Sequence, residues 1–166
     1  MADQLSLELV EKRLVTDQMV LSIGYDNSSL KDPAEEKRYK GEVSLDHYGR
    51  KVPKPAHGSI NLGRHTSSTA AIVGAIAELF SKITDKNLTV RRMAVVANHV
   101  VREEEAGAEQ LDLFAKREDP LRERSRQEAI LSIRKKYGKN AILKGINFEE
   151  GATAIERNLQ IGGHKA

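Results

Sequence analysis

The spacing of apolar residues changes twice between His57 and Val101, and the stretch reads as strand, helix, strand. Ser59-Ile60-Asn61-Leu62 alternates polar and apolar, as a strand with one buried face does. Thr66, Ser67 and Ser68 then offer hydroxyls to the free N–H groups of a helical first turn. Ile72, Ile76, Leu79 and Ile83 follow at helical spacing with Phe80 beside them, so one stripe of this helix faces a core. Asp85-Lys86-Asn87 breaks the helix. Thr89 to Val101 is a β-branched run that opens on Arg91-Arg92. Strict alternation sends the two arginines to opposite faces. It sets Met93, Val95 and Ala97 against the helix and leaves Arg92, Ala94, Val96 and Asn98 on an open face.

The flanking segments add a second strand with the same bias. Ala2 to Leu14 predicts a helix with Leu7, Val10 and Leu14 as its stripe, starting abruptly at Met1. Gln18 to Tyr25 predicts a strand with Met19, Leu21, Ile23 and Tyr25 on one side and Val20, Ser22 and Gly24 on the other. Both strands thus have a small, polar second face, which points to one sheet covered by helices on a single side. Asp26 to Pro55 is rich in turn signals. Within it Glu42 to Leu45 and Arg50 to Val52 predict a short hairpin around Asp46-His47-Tyr48-Gly49. Lys37, Arg38, Lys40, Arg50, Lys51 and Lys54 make this segment cationic, either a solvated insertion or a hairpin that reaches a phosphate strand. Leu121 to Tyr137 predicts a basic helix with Ile130, Ile133 and Tyr137 on its apolar face and Gly138 as its stop. Ala141-Ile142-Leu143 predicts a short strand, Thr153 to Leu159 a helical turn or two, and Ile161 to His164 an irregular tail.

Composition narrows the class. The 166 residues contain no cysteine, which excludes a disulfide framework and thiolate metal sites and suits a reducing compartment. No apolar run is long enough for a membrane span, and the N-terminus lacks a signal-peptide pattern, so a soluble, cytoplasmic protein is expected. Aromatic residues make up 4% of the chain, so the core must be aliphatic. The net charge of +3 is unevenly spread. Residues 103–119 hold seven acids against two bases, a net −5, which leaves +8 for the remainder. Two basic portions joined by an acidic linker fit a polyanionic partner for the former. Inside the linker, Gln110-Leu111-Asp112-Leu113-Phe114 gathers apolar side chains where nothing else is to be buried, as a docking peptide does. The histidines His47, His57, His65, His99 and His164 show no ligand pairing, and no Walker pattern occurs.

Three segments together resemble the little-finger domain of Y-family translesion DNA polymerases. They are Val20 to Asp26, Ser59 to Leu62 ahead of Thr66-Ser67-Ser68, and Val90 to Val95. Gln110 to Phe114 is similar to the sliding-clamp-binding motif that bacterial members carry behind that domain. Its placement, and the run Lys139 to Gly145 with Ile161 to His164, is closer to the UmuC type than to the DinB type. The resemblance implies an α+β fold, an antiparallel sheet of three to four strands with two helices on one face, plus a C-terminal helical extension. It divides the chain into a DNA-binding domain at 1–102, an acidic linker with the clamp motif at 103–120, and a basic extension at 121–166.

The resemblance also implies a function. The open sheet would lie along duplex DNA and touch its backbone through Arg91, Arg92, Asn98, Ser22, Ser59, Asn61 and Arg64. Gln110, Leu111, Asp112, Leu113 and Phe114 would dock on the sliding clamp. Catalytic carboxylates with their Mg²⁺ belong to a palm domain, so no catalytic or metal-binding residue is expected in this chain. The whole would serve DNA repair and the SOS response. In little fingers a first strand precedes the first helix, so the abrupt start at Met1 is expected to mark a C-terminal piece. Its unpaired sheet edge would invite a homodimer or a substitute strand from residues 41–53. The alternative from a different class is a module that binds an acidic protein or RNA through the same basic face.

Overall fold

A computed structural model describes residues 1–30, 39–106, 120–161 and 164–165. The chain divides into two compact units, Met1–Leu113 and Phe114–Ala166.

In the first unit, helix α1 (Ala2–Glu11) is followed by the long strand β1 (Leu14–Tyr25). Leu7, Leu9 and Val10 are buried. The helix stops short of the predicted Leu14 because Arg13 takes a left-handed conformation at φ 52°, and Leu14 opens the strand instead. A short hairpin follows, β2 (Val43–Leu45) against β3 (Lys51–Pro53). Strand β4 (Ala56–Thr66) leads to helix α2 (Thr69–Ile83), whose N-cap is Ser68, its hydroxyl accepting from the Ala71 N–H at 3.2 Å. Strand β5 (Val90–Asn98) and the two-residue β6 (Val101–Arg102) complete the unit.

The main sheet is four-stranded and antiparallel, with β1 central between β4 and β5, and β6 pairing the start of β1 beyond β5. Both helices pack on one face of it: α2 lies across β4 and β1, and α1 packs on α2 and β1. The fold class is therefore α+β, as the resemblance implied. Met19 and Ile23 are 0% exposed and Leu21 1%, facing Ile72 and Leu79 of α2. Full burial of each such side chain stabilises the fold by about 1.5–3 kcal/mol. Gly58 allows the close approach of α2, since a Cβ there would stand 3.1 Å from Leu79 Cδ1 and 3.2 Å from Ile83 Cγ2. Ser6 joins the two helices through a 2.8 Å hydrogen bond to Thr69.

Met93 and residues 41–53 depart from what was expected of them. Val95 and Ala97 pack into the core, but Met93 is 40% exposed. It lies on β5, and the helices cover the two strands on the other side of it. Residues 41–53 supply no substitute strand: β2 and β3 pair with each other, and among the described residues no strand pairs with the outer edge of β5.

In the second unit, α3 (Pro120–Tyr137) ends at Gly138, where φ is +91°. The predicted apolar face is not buried, with Tyr137 66% and Ile133 37% exposed. Residues 141–143 form no strand. Arg134 Nη2 donates to the Ile142 carbonyl, and Asn140 donates to the Ile155 carbonyl of the short helix α4 (Ala154–Asn158), so side chains take up carbonyls there. Where an irregular tail was expected, β7 (Gln160–Ile161) pairs β8 (His164–Lys165). No helix among the described residues is long and apolar enough to cross a membrane.

Candidate nucleic-acid interface

The face of the main sheet turned away from the helices is assembled in cross-strand rows. Because side chains alternate, one strand's even positions meet its neighbours' matching positions on this face. Gln18 of β1 stands opposite both Asn61 of β4 and Asn98 of β5. Its amide donates to Asn61 Oδ1 at 2.8 Å and accepts from Asn98 Nδ2 at 3.0 Å, so three side-chain amides bridge three strands. The next row is Ser59, Val20 and Val96, and the next is His57, Ser22 and Ala94. Ser22 Oγ lies 2.8 Å from His57 Nδ1. The last row pairs Gly24 with Arg92. From Gln18 to Gly24 the rows cover about 20 Å of strand, the rise of about six base pairs.

Each end of this face is irregular. At the Gly24 end the ladder shifts register: Gly24 pairs Arg92 and Tyr25 pairs Val90, which leaves Arg91 as an extra residue. This is a β-bulge, and bulges re-aim side chains. Val90 takes the core position that strict alternation would give Arg91. Contrary to the expectation of opposite faces, Arg91 and Arg92 line one cavity together with Gly24. The Arg92 side chain lies over the glycine, since a Cβ on Gly24 would meet its Cγ at 3.1 Å and Nε at 3.2 Å.

The opposite wall of that cavity is the β2–β3 hairpin. Its turn is held by Asp46, whose Oδ1 accepts from the backbone N–H of Tyr48 and of Arg50, each at 2.9 Å. Asp46 Oδ2 pairs with Arg50 Nη2 at 2.6 Å. The Arg50 side-chain hydrogen bond, then its N–H, hold the Asp46 carboxyl down at about 2. Gly49 closes the turn at φ +74°. The turn presents Tyr48, which is 78% exposed, with the Arg50 guanidinium 5.1 Å from its ring centroid and His47 edge-on at 5.4 Å.

At the Gln18 end, β4 carries four residues, Leu62 to His65, where β1 carries only Asp17. Gly63 makes the excursion possible at φ +76°. Arg64 lines a second cavity there with Asp17, Gln18, Asn61, His65 and His99. Asp17 Oδ1 is 2.9 Å from His99 Nδ1, and Oδ2 is 4.0 Å from His65 Nε2. Among the described residues, no three His, Asp or Glu side chains are grouped so that they could hold a metal ion.

Of the residues singled out from the sequence, Ser22, Ser59, Asn61, Asn98 and Arg92 share the uncovered face, with Arg91 and Arg64 at its two ends. Gln18 and His57 were missed, although each sits on the face by the same alternation. Arg50 belongs to the hairpin expected to reach a phosphate strand, while Tyr48 was read only as a turn residue; both stand on the hairpin beside the sheet face and not on the face itself. Gln110, Leu111, Asp112, Leu113 and Phe114 lie outside the described residues.

A protein named DNA polymerase IV 2 from Halalkalibacterium halodurans is 29% identical over 113 residues, which are 68% of this chain and 26% of that protein. The chain thus matches about a quarter of that relative's length. No solved structure matches. Residues 1–113 match the model of the impB/mucB/samB family C-terminal domain, which takes in the whole main sheet and both helices packed on it, and the chain belongs to that family.

Proposed function

We propose that residues 1–102 bind duplex DNA for an error-prone translesion DNA polymerase, and that Gln110 to Phe114 dock on a sliding clamp. The observation that carries the first half is the sheet face turned away from the helices, polar and small apart from the Val20–Val96 pair, with Arg91 and Arg92 lining one cavity at its end. Small side chains such as Gly24, Ala94 and Ser22 let the sheet come close to a sugar–phosphate backbone. Hydroxyls, amides and guanidinium groups at that height reach phosphates rather than base edges, so binding is independent of sequence. A polymerase that copies damaged templates needs this tolerance. The contribution of this domain is grip and position; nucleotidyl transfer and its Mg²⁺ belong to other parts of the parent enzyme.

Charge sets the strength. Arg91, Arg92 and Arg64 are the cations at the face, and two to three phosphate contacts give a slope of log K against log salt of about −2 to −3. That is modest, so a tether is needed. Leu113 and Phe114 would fill an apolar pocket on the clamp, Gln110 would bond at its rim, and tethering would raise the effective concentration at the primer end. The DNA-repair and SOS setting, and the closeness to the UmuC type, belong to the same reading.

A salt titration with random-sequence duplex tests the first half: binding is expected to weaken as salt rises, and Arg92→Ala to lower the slope by about 1. Binding that ignores salt and the arginine would instead favour a protein partner. Replacing Leu113 and Phe114 with Ala should abolish clamp binding without touching duplex affinity. Intact clamp affinity in that double variant would remove the second half.

A further inference from the structure

The cavity at the Gly24 end is more than an extension of a phosphate-gripping surface, because one wall of it is aromatic. Its volume is about 490 Å³, within the range of sites that take a small organic group. One wall is the arginine pair Arg91 and Arg92 at the bulge, and the other is the hairpin with Tyr48 and Arg50. The hairpin turn is fixed from within by Asp46, which uses both carboxylate oxygens on Tyr48 and Arg50. Tyr48 is therefore held out in solvent by a built turn rather than left there by want of a core. An exposed tyrosine beside arginines is the combination that stacks unpaired bases while guanidinium groups take the adjoining phosphate. Paired bases within a duplex already stack on each other and have no face to offer. The cavity also lies at the end of the rows, where a strand leaving a duplex on the sheet would pass.

We infer that the cavity between the β2–β3 hairpin and the Arg91–Arg92 bulge is a subsite for an unpaired nucleotide of a strand that continues from the bound duplex. Its base stacks on Tyr48, with Arg50 clamped against the same ring. Its phosphate lies toward Arg91 and Arg92. The inference rests on the duplex-binding reading and adds a ligand class to it. Arg50 contributes less charge than the other two arginines, because Asp46 is ionised beside it at any working pH.

The test compares two probes on the full chain by fluorescence anisotropy. One is a blunt random-sequence duplex, and the other is the same duplex with a single-stranded overhang of about eight nucleotides. The overhang is expected to tighten binding by about fivefold or more, with Tyr48→Ala removing that gain and Tyr48→Phe keeping it. Blunt-duplex affinity in Tyr48→Ala should stay within about twofold of the original, since no duplex contact is lost. A melting curve checks that the variants are folded. An overhang that adds nothing, or a gain that survives Tyr48→Ala, overturns the subsite while leaving duplex binding intact. A protein that binds neither probe overturns the duplex reading beneath it.

Discussion

The two faces of the β4–β1–β5 sheet are one residue apart in sequence and do opposite work. On β1, Met19, Leu21 and Ile23 are sealed under the helices, while Gln18, Ser22 and Gly24 stand on the uncovered side. The first face holds apolar bulk and sets stability. The second holds amides, hydroxyls and small groups and sets what the domain can grip. A slip of one residue in register would exchange the two sets, so the same burial that stabilises the fold also fixes which residues stand on the uncovered face. Stability and binding should therefore separate cleanly by face, and substitutions can test that separation.

The largest effect is expected on the covered face. Leu21→Ala should cost about 2–5 kcal/mol, read by urea unfolding, while the fraction that stays folded binds duplex as before. Loss of binding by fully folded Leu21→Ala would break the separation. On the uncovered face, Gly24→Ala should do the reverse. Its methyl group would crowd Arg92 at 3.1 Å and push that side chain aside. Duplex affinity should fall about three- to tenfold, as a charge-assisted phosphate contact is lost. Stability should move by less than about 1 kcal/mol, since alanine is also easier than glycine to order in a strand. Smaller again is Gln18→Ala, which removes both bonds of the amide bridge and should cost about 0.5–1.5 kcal/mol in unfolding experiments.

The smallest effect concerns the hairpin. The Asp46 carboxyl is held at about 2, below its value in an unfolded chain, so its bonds to the turn persist above the unfolded value and weaken as pH falls toward 2. Titration of the Asp46 carboxyl carbon by NMR should give a midpoint near the folded value. Asp46→Asn should loosen Tyr48 and Arg50 without shifting the melting temperature of the sheet.

Patterning revealed most of the scaffold. Alternation marked both faces of Gln18 to Tyr25, turn residues marked the 43–53 hairpin, and the serine run marked the cap at Ser68. Each of these is a local preference that the tertiary structure keeps. The departures arise where the chain breaks its own period. Arg13 and His99 enter left-handed conformations at φ 52° and 49°, ending α1 and β5. Neither is a glycine, so no residue type announced the turn. The bulge at Arg91 is likewise invisible locally, because it depends on which residue of β1 lies opposite. The polar rows needed register as well: Gln18, Asn61 and Asn98 are far apart in sequence and meet only once β1 is placed between β4 and β5. The residues of the open face were thus legible, and the amide bridge and the cavity at the bulge were not.

The side-chain amides of Gln18, Asn61 and Asn98 offer the most direct test of the central claim, that the uncovered face meets the double helix. In an isotope-labelled protein their NH₂ signals can be followed as random-sequence duplex is added. The account predicts that these three signals and the Arg92 Nε–H shift together along one binding curve, while backbone signals of α1 and α2 stay in place. Shifts concentrated on the two helices, with the amide bridge undisturbed at saturation, would contradict it.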